Sequence, residues 1–180
     1  DGGAERITEA SPAHAEYTHT LCDAWEAAAK RAAAYGVRVC LLRTGLVVAP
    51  DGGFLRRLLP PFKLGLGGPI GSGKQYMPWV HLNDMLGIIH FLLLQNQCKG
   101  AFNATAPHPV TNREFAKTLG AALKRPAFMP LPGFVLKAAL GEMAGLLLTG
   151  QNAVPEKLKK AGYVFQFDHL EAALADVVKT

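Results

Sequence analysis

The sequence predicts an α/β protein. A long helical pattern over residues 13–35 stops at Gly36 and runs directly into the apolar, β-branched stretch 37–42, the αβ half of a βαβ unit. Weaker strand and helix patterns then alternate to the end of the chain. The chain has 180 residues, 49% hydrophobic and 18% charged, enough apolar material for a real core.

Each element has a local cause. Ser11 and Pro12 offer a cap and a first-turn proline to the helix over 13–35, and Gly36 supplies the left-handed residue that ends it. Residues 37–42 (Val-Arg-Val-Cys-Leu-Leu) read as a buried strand. A short helix over 54–62 should end at Pro60-Pro61. The Gly-dense stretch 65–73 follows, then a short strand over 76–81. Asp84 is placed to cap a helix reaching about Gln95. Residues 101–104 form a short strand. Thr111-Asn112-Arg113-Glu114 fits a capping box, in which Thr and Glu each satisfy an orphan amide, opening a helix to about Lys124. Residues 127–130 are extended, and 133–148 is apolar on nearly every side, which predicts a buried helix or half of an interface. Pro155 starts a helix that Gly162 ends, and Asp168 caps a last helix over 169–178. There is no internal repeat, low-complexity tract or linker.

Composition narrows the function classes. The formal charge is +5 and the isoelectric point about 9.2, which suits anionic partners. The basic residues are scattered (Arg56-Arg57, Lys124-Arg125, Lys157, Lys159, Lys160), without the single face and interleaved aromatics of a nucleic-acid binder. No apolar run approaches the ~18 residues that span a bilayer, so no membrane partner is expected. Cys22, Cys40 and Cys98 are odd in number and lack CxxC spacing, as for reduced thiols in a cytoplasmic protein. No His/Cys cluster has metal-ligand spacing, and no metal is expected.

Several residues are candidates for a site. Arg43 follows the buried strand, at the end where open α/β sheets take ligands. It can hold a loop carbonyl or a ligand anion. Gly68-Pro69-Ile70-Gly71-Ser72-Gly73-Lys74-Gln75 nearly matches a phosphate loop, but Gln75 stands where the hydroxyl should be, and no strand–loop–helix context surrounds it. The glycines there mark backbone pressed against a ligand or against another segment. Trp79 and His81 sit in an apolar strand, where a histidine satisfied in the core is commoner than a catalytic one.

Three segments carry a family resemblance: Leu41-Leu42-Arg43-Thr44-Gly45-Leu46-Val47-Val48-Ala49-Pro50; Pro60 through Gly73 with its Gly-Leu-Gly-Gly-Pro-Ile-Gly-Ser-Gly core; and Trp79-Val80-His81-Leu82-Asn83-Asp84. With Val154-Pro155-Glu156-Lys157-Leu158, Ala161-Gly162-Tyr163-Val164-Phe165 and 170–174, the chain resembles the epimerase family, the NAD-dependent epimerase/dehydratase-like, atypical extended short-chain dehydrogenase/reductases, and specifically their C-terminal part with its small C-terminal module. The resemblance implies a Rossmann-like α/β fold with a small α-rich substrate domain. Residues 1–50 are expected to supply the remaining helix and strand of the Rossmann-like domain. Residues 51–180 would be mostly the substrate domain, with 76–104 returning to the sheet. Because no strand–GxGxxG–helix unit is found, the N-terminal dinucleotide-binding half, roughly 100 residues at ~30 per βαβ unit, is expected to be absent from this chain.

The resemblance further implies NADP or NAD as cofactor and reduction or epimerisation of a small or nucleotide-linked substrate. In the family a Tyr-x-x-x-Lys pair lies on the helix matching 13–35, where i and i+4 share a face and the ammonium lowers the phenol pKa. Glu26 as anchor puts Thr18 at the tyrosine position and Cys22 at the lysine position, so the catalytic pair itself is not identified. The cofactor side is then Thr18, Cys22, Arg43, Thr44 and Gly45; the substrate side is Gly71, Ser72, Lys74, Trp79 and His81. The alternative is a non-catalytic dinucleotide-binding or sensor protein without the Tyr/Lys pair. A homodimer through the apolar 133–148 segment is a further expectation.

Overall fold

In the computed structural model, the described residues are 3–12, 17–50 and 52–179, without the side chains at 17, 18, 139, 140, 142, 143 and 146. Strand β1 (Arg6–Ile7) precedes helix α1 (Tyr17–Lys30), which tightens into a 3-10 turn over Arg31–Tyr35. Gly36 closes it with φ 76°, as its position predicts. Residues 13–16, the expected first turn, lie outside the described residues. The Ser11 hydroxyl accepts from the Thr8 amide at 2.9 Å.

The expected strand appears three residues later than its apolar run, as β2 (Cys40–Thr44), and continues past Gly45 as β3 (Leu46–Val48). Helix α2 (Gly53–Lys63) contains Pro60 and Pro61 instead of ending at them. Both prolines lie in its last turns, where the carbonyls they leave unbonded belong to exposed Arg56 and Arg57. Their own carbonyls still accept, from Leu64 and Leu66.

The expected 76–81 strand is two strands, β4 (Tyr76–Met77) and β5 (Trp79–His81), divided at Pro78. Proline has no N–H for a ladder, and the Pro78 carbonyl turns to accept from Leu46 at 2.7 Å. Helix α3 (Leu82–Leu94) is capped by His81, whose Nδ1 accepts from the Asn83 amide at 3.2 Å, and not by Asp84. Strand β6 (Gly100–Ala104) and strand β7 (Val110–Thr111) lead to α4 (Asn112–Ala122), which opens on the predicted Thr111/Glu114 capping box. The apolar 133–148 stretch divides into α5 (Gly133–Leu140), a 3-10 turn and α6 (Gly145–Leu148). Strand β8 (Asn152–Ala153), α7 (Glu156–Lys160) and α8 (Leu170–Lys179) complete the chain.

Among the described residues, three of the four strand pairs are parallel: β1 with β8, β2 with β6, and β3 with β5; β4 and β7 are antiparallel. Parallel neighbours need crossovers, and α2 lies in the one between β3 and β5. These pairings correct the expectation that the dinucleotide-binding half is absent. Rossmann-like parallel architecture is present in this chain. Strands β1, β3 and β8, which take part in these pairs, are too short to show a period in sequence.

The strand β5 divides two apolar cores. Trp79 packs with Val48, Leu55, Phe62, Phe115, Leu119, Leu170 and Leu174 on one side. Val80 packs with Ile88, Leu92, Phe102 and Leu158 on the other. The period-2 alternation of a strand does this division directly.

Candidate functional site

The carboxyl end of β2 is organised by charge. Arg43 donates through Nε and Nη2 to the two carboxylate oxygens of Glu26, at 2.8 and 3.1 Å. This bidentate bond holds the Glu26 carboxyl below its usual range and Arg43 above its own. It also fixes which face of α1 looks towards β2. Cys22, one turn before Glu26, shares that face, and Thr18 is one turn further. The Thr18 side chain lies outside the described residues. Cys22 is an exposed free thiol. Thr44 is exposed at the strand end, and the Gly45 amide donates to the Ala104 carbonyl at 3.1 Å. A Cβ at Gly45 would press on the Pro78 carbonyl and lie 2.9 Å from the Thr105 methyl, so this crossing of backbones needs glycine. Thr18, Cys22, Arg43, Thr44 and Gly45 are therefore gathered along α1 and the end of β2.

The Gly-rich loop sits elsewhere. Its backbone is zipped to residues 129–131: Met129 donates to Gly67, Leu131 to Pro69, and Gly71 back to Leu131, at 2.9–3.1 Å. A Cβ at Gly68 would collide with the Met129 carbonyl. The Gly73 amide donates to Ile70 and the Lys74 amide to the Ser72 hydroxyl. Arg113 Nη2 donates to the Ser72 carbonyl at 3.0 Å, and the Ile70 amide to Asn112 Oδ1 at 2.7 Å. The glycines let two protein segments approach closely, and the amides of Gly71, Gly73 and Lys74 are used within the fold. The Lys74 side chain is exposed.

Trp79 is fully buried, and its indole N–H donates to the His108 carbonyl at 3.1 Å. His81 is buried beside Phe167, ring centroids 3.9 Å apart, with Nε2 3.4 Å from Asp176 Oδ2. Burial pushes its imidazole pKa down against the opposing pull of Asp176 and Asp84. Both side chains face the body of the protein.

A cavity of about 390 Å³ opens at the carboxyl end of β3, lined by Val47, Ala49, Pro50, Gly52, Gly53 and Leu82. None of the site residues expected from sequence is among its lining residues. Its largely apolar wall, at the strand ends of an α/β sheet, suits the body of an organic ligand. The apolar run after Arg43 was the only signal for it in sequence. Asp84, expected as a cap, instead accepts from the Gln166 and Phe167 amides and the Tyr163 hydroxyl, locking the C-terminal segment to α3. Nothing local to Asp84 signals those partners.

Residues 131–177 match a family model described as a domain of unknown function, DUF1731. The mouse epimerase family protein SDR39U1 is 46% identical over 164 residues, 91% of this chain and 56% of its own length. The crystal structure of the human epimerase family protein SDR39U1 (isoform 2) with NADPH superposes with a TM-score of 0.92 at 40% identity, covering 98% of this chain and 60% of that one. A nucleoside-diphosphate sugar epimerase from Corynebacterium glutamicum gives a TM-score of 0.78 at 28% identity over 97% of this chain and 34% of its own. The chain thus spans 56% of the mouse relative's length. The match to the NADPH-bound human structure agrees with the Rossmann-like architecture of the parallel strands. In sequence over 164 residues, and in fold over 98% of its length, the chain is similar to the epimerase family proteins.

Proposed function

We propose that this chain serves an epimerase-family oxidoreductase of the extended short-chain dehydrogenase/reductase type, which uses NADP(H) on a small or nucleotide-linked substrate. The observation that carries the reading is the TM-score of 0.92 to a human relative bound to NADPH. The residues present suit the nicotinamide end of such a cofactor. Thr44 is exposed at the carboxyl end of β2, and a largely apolar cavity of about 390 Å³ opens further along the chain, at the end of β3. When bound, the nicotinamide supplies hydride chemistry. The protein's part is positioning: the Arg43–Glu26 bond holds α1 in register, Thr44 and Gly45 form the floor, and the α1 face that carries Cys22, with Thr18 one turn before it in sequence, forms the wall. Gly71, Ser72, Lys74, Trp79 and His81 remain the substrate side, with Trp79 and His81 acting as supports. Residues 1–50 would belong to the Rossmann-like domain and 51–180 mostly to the substrate domain, with 76–104 returning to the sheet.

A second reading is favoured by one observation. Threonine and cysteine occupy the positions of the Tyr-x-x-x-Lys pair, so no ammonium is there to activate a phenol. A dinucleotide sensor needs only the binding half of this chemistry. Titrating NADPH into the protein, while following its oxidation against carbonyl and nucleotide-sugar substrates, separates the readings. Turnover supports the enzyme, saturable binding without turnover supports the sensor, and no binding overturns both. Thr44→Val should weaken NADPH by about 1 kcal/mol, roughly fivefold in Kd, through one lost hydrogen bond.

The partners follow the same reading. Scattered basic residues favour a small anionic ligand over nucleic acid, and free cysteines suit the reducing cytoplasm. No helix among the described residues is long and apolar enough to cross a membrane. Phe134, 75% exposed, with Val135 and Leu131 also exposed, supports a homodimer through this face. Light scattering on the eluting protein tests that, and a strict monomer overturns it.

A further inference from the structure

His108, Asp168 and His169 form a compact group outside the proposed cofactor and substrate sides. One donor atom from each lies within 4.8 Å of the others. The two imidazoles stack with centroids 4.5 Å apart and planes 10° from parallel, and Asp168 Oδ2 lies 3.9 Å from His169 Nε2. The three come from two distant segments whose backbones are both anchored. His108 stands between Pro107 and Pro109, and its carbonyl accepts from the fully buried Trp79 indole at 3.1 Å. The His169 carbonyl accepts from the Ala173 amide at 3.4 Å, at the start of α8, which buries Leu170, Ala173, Leu174 and Val177. The side chains themselves are exposed.

We propose that His108, Asp168 and His169 bind one divalent transition-metal ion of the Zn²⁺ or Ni²⁺ class. Two imidazoles and one carboxylate are a borderline donor set that suits these ions. Mg²⁺ and Ca²⁺ demand more oxygen ligands than the group offers. Exposure leaves the remaining positions to water. The ion would tie the 107–109 turn to the segment that leads into α8 and so staple the C-terminal helix to the strand layer. The expectation of no metal rested on short-range spacing, which this group does not have; only the fold brings it together.

Calorimetric titration of the metal-free protein with ZnCl₂ and with NiCl₂, paired with thermal unfolding, tests the site. The expected result is one saturable equivalent and a raised Tm. Both should be lost in His108→Gln and in His169→Gln, and binding should weaken in Asp168→Asn. Because all three side chains are exposed, the variants should keep the wild-type circular dichroism spectrum, and His90→Gln should bind as the wild type does. No saturable equivalent overturns the proposal. So does an equivalent that survives in the His108→Gln/His169→Gln double variant, which would place the ion elsewhere, as on the exposed Cys22 thiol.

Discussion

The carboxylate of Asp84 is 1% exposed and accepts three hydrogen bonds, from the Gln166 amide at 2.8 Å, the Phe167 amide at 2.9 Å and the Tyr163 hydroxyl at 3.1 Å. Burial and this carboxylate together hold the Tyr163 phenol well above its usual pKa, so it remains a donor at every working pH. Asp84→Ala leaves two amides and a hydroxyl facing a void and should cost about 3 kcal/mol in urea unfolding, whereas Tyr163→Phe should cost about 1 kcal/mol. Equal small effects would mean that solvent reaches these groups. His81 carries a pH dependence. Its folded pKa lies below the usual 6.5, so the unfolded chain takes up the proton first. The stability it contributes is complete above about pH 6.5 and is lost as pH falls through the lower folded value. Urea midpoints at about pH 7.5 and 5.5 should differ more in the wild type than in His81→Gln. Identical differences would remove His81 as the cause.

At the scale of elements, the Gly-rich stretch is a zipper tooth. Gly68→Ala would drive a Cβ into the Met129 carbonyl and part the 67–71 and 129–131 segments, costing about 2 kcal/mol or more by thermal unfolding. Gly145→Ala, where a Cβ meets open space, should be neutral or slightly stabilising. If Gly68→Ala were equally harmless, the zipper would contribute nothing. The same elements show what sequence makes legible. Gly36, the Thr111/Glu114 box and the apolar run of α3 are local signals, and the structure uses them as written. Strands β1, β3 and β8 have only two or three residues, too few to carry a period. They exist because a partner pairs with them. The candidate site divides in the same way. Cys22 and Glu26 share a face of α1 because i and i+4 are neighbours on any helix. The partners of Asp84 lie 79–83 residues downstream and belong to tertiary structure alone.

Across the whole molecule, the beginning of the described chain is sewn to its end. Strand β1 lies parallel to β8, Val154 donates to the Ile7 carbonyl at 2.9 Å, and Asn152 Nδ2 donates to Ala4 at 3.0 Å. Glu9 is the central stitch: its carboxylate accepts from the Asn103 amide on β6 at 3.0 Å and from the Lys157 amide in α7 at 3.3 Å. Lys157 Nζ then donates to the Lys99 and Ala101 carbonyls while lying 4.1 Å from the Phe102 ring centroid. One half-buried carboxylate thus joins the N-terminal segment, the parallel strand pair and the C-terminal module. Arg6 pairs with Glu156 at 3.3 Å across the same junction, but with 58% of its side chain exposed. Water and salt screen such a pair, whereas the amides that Glu9 satisfies have no equivalent replacement. Glu9→Ala should therefore lower stability by about 2 kcal/mol, and Arg6→Ala by no more than about 0.5 kcal/mol. Hydrogen exchange adds the spatial test: in Glu9→Ala the Asn103 and Lys157 amides should lose protection together. Loss at only one of them would mean that the carboxylate does not couple β6 to α7.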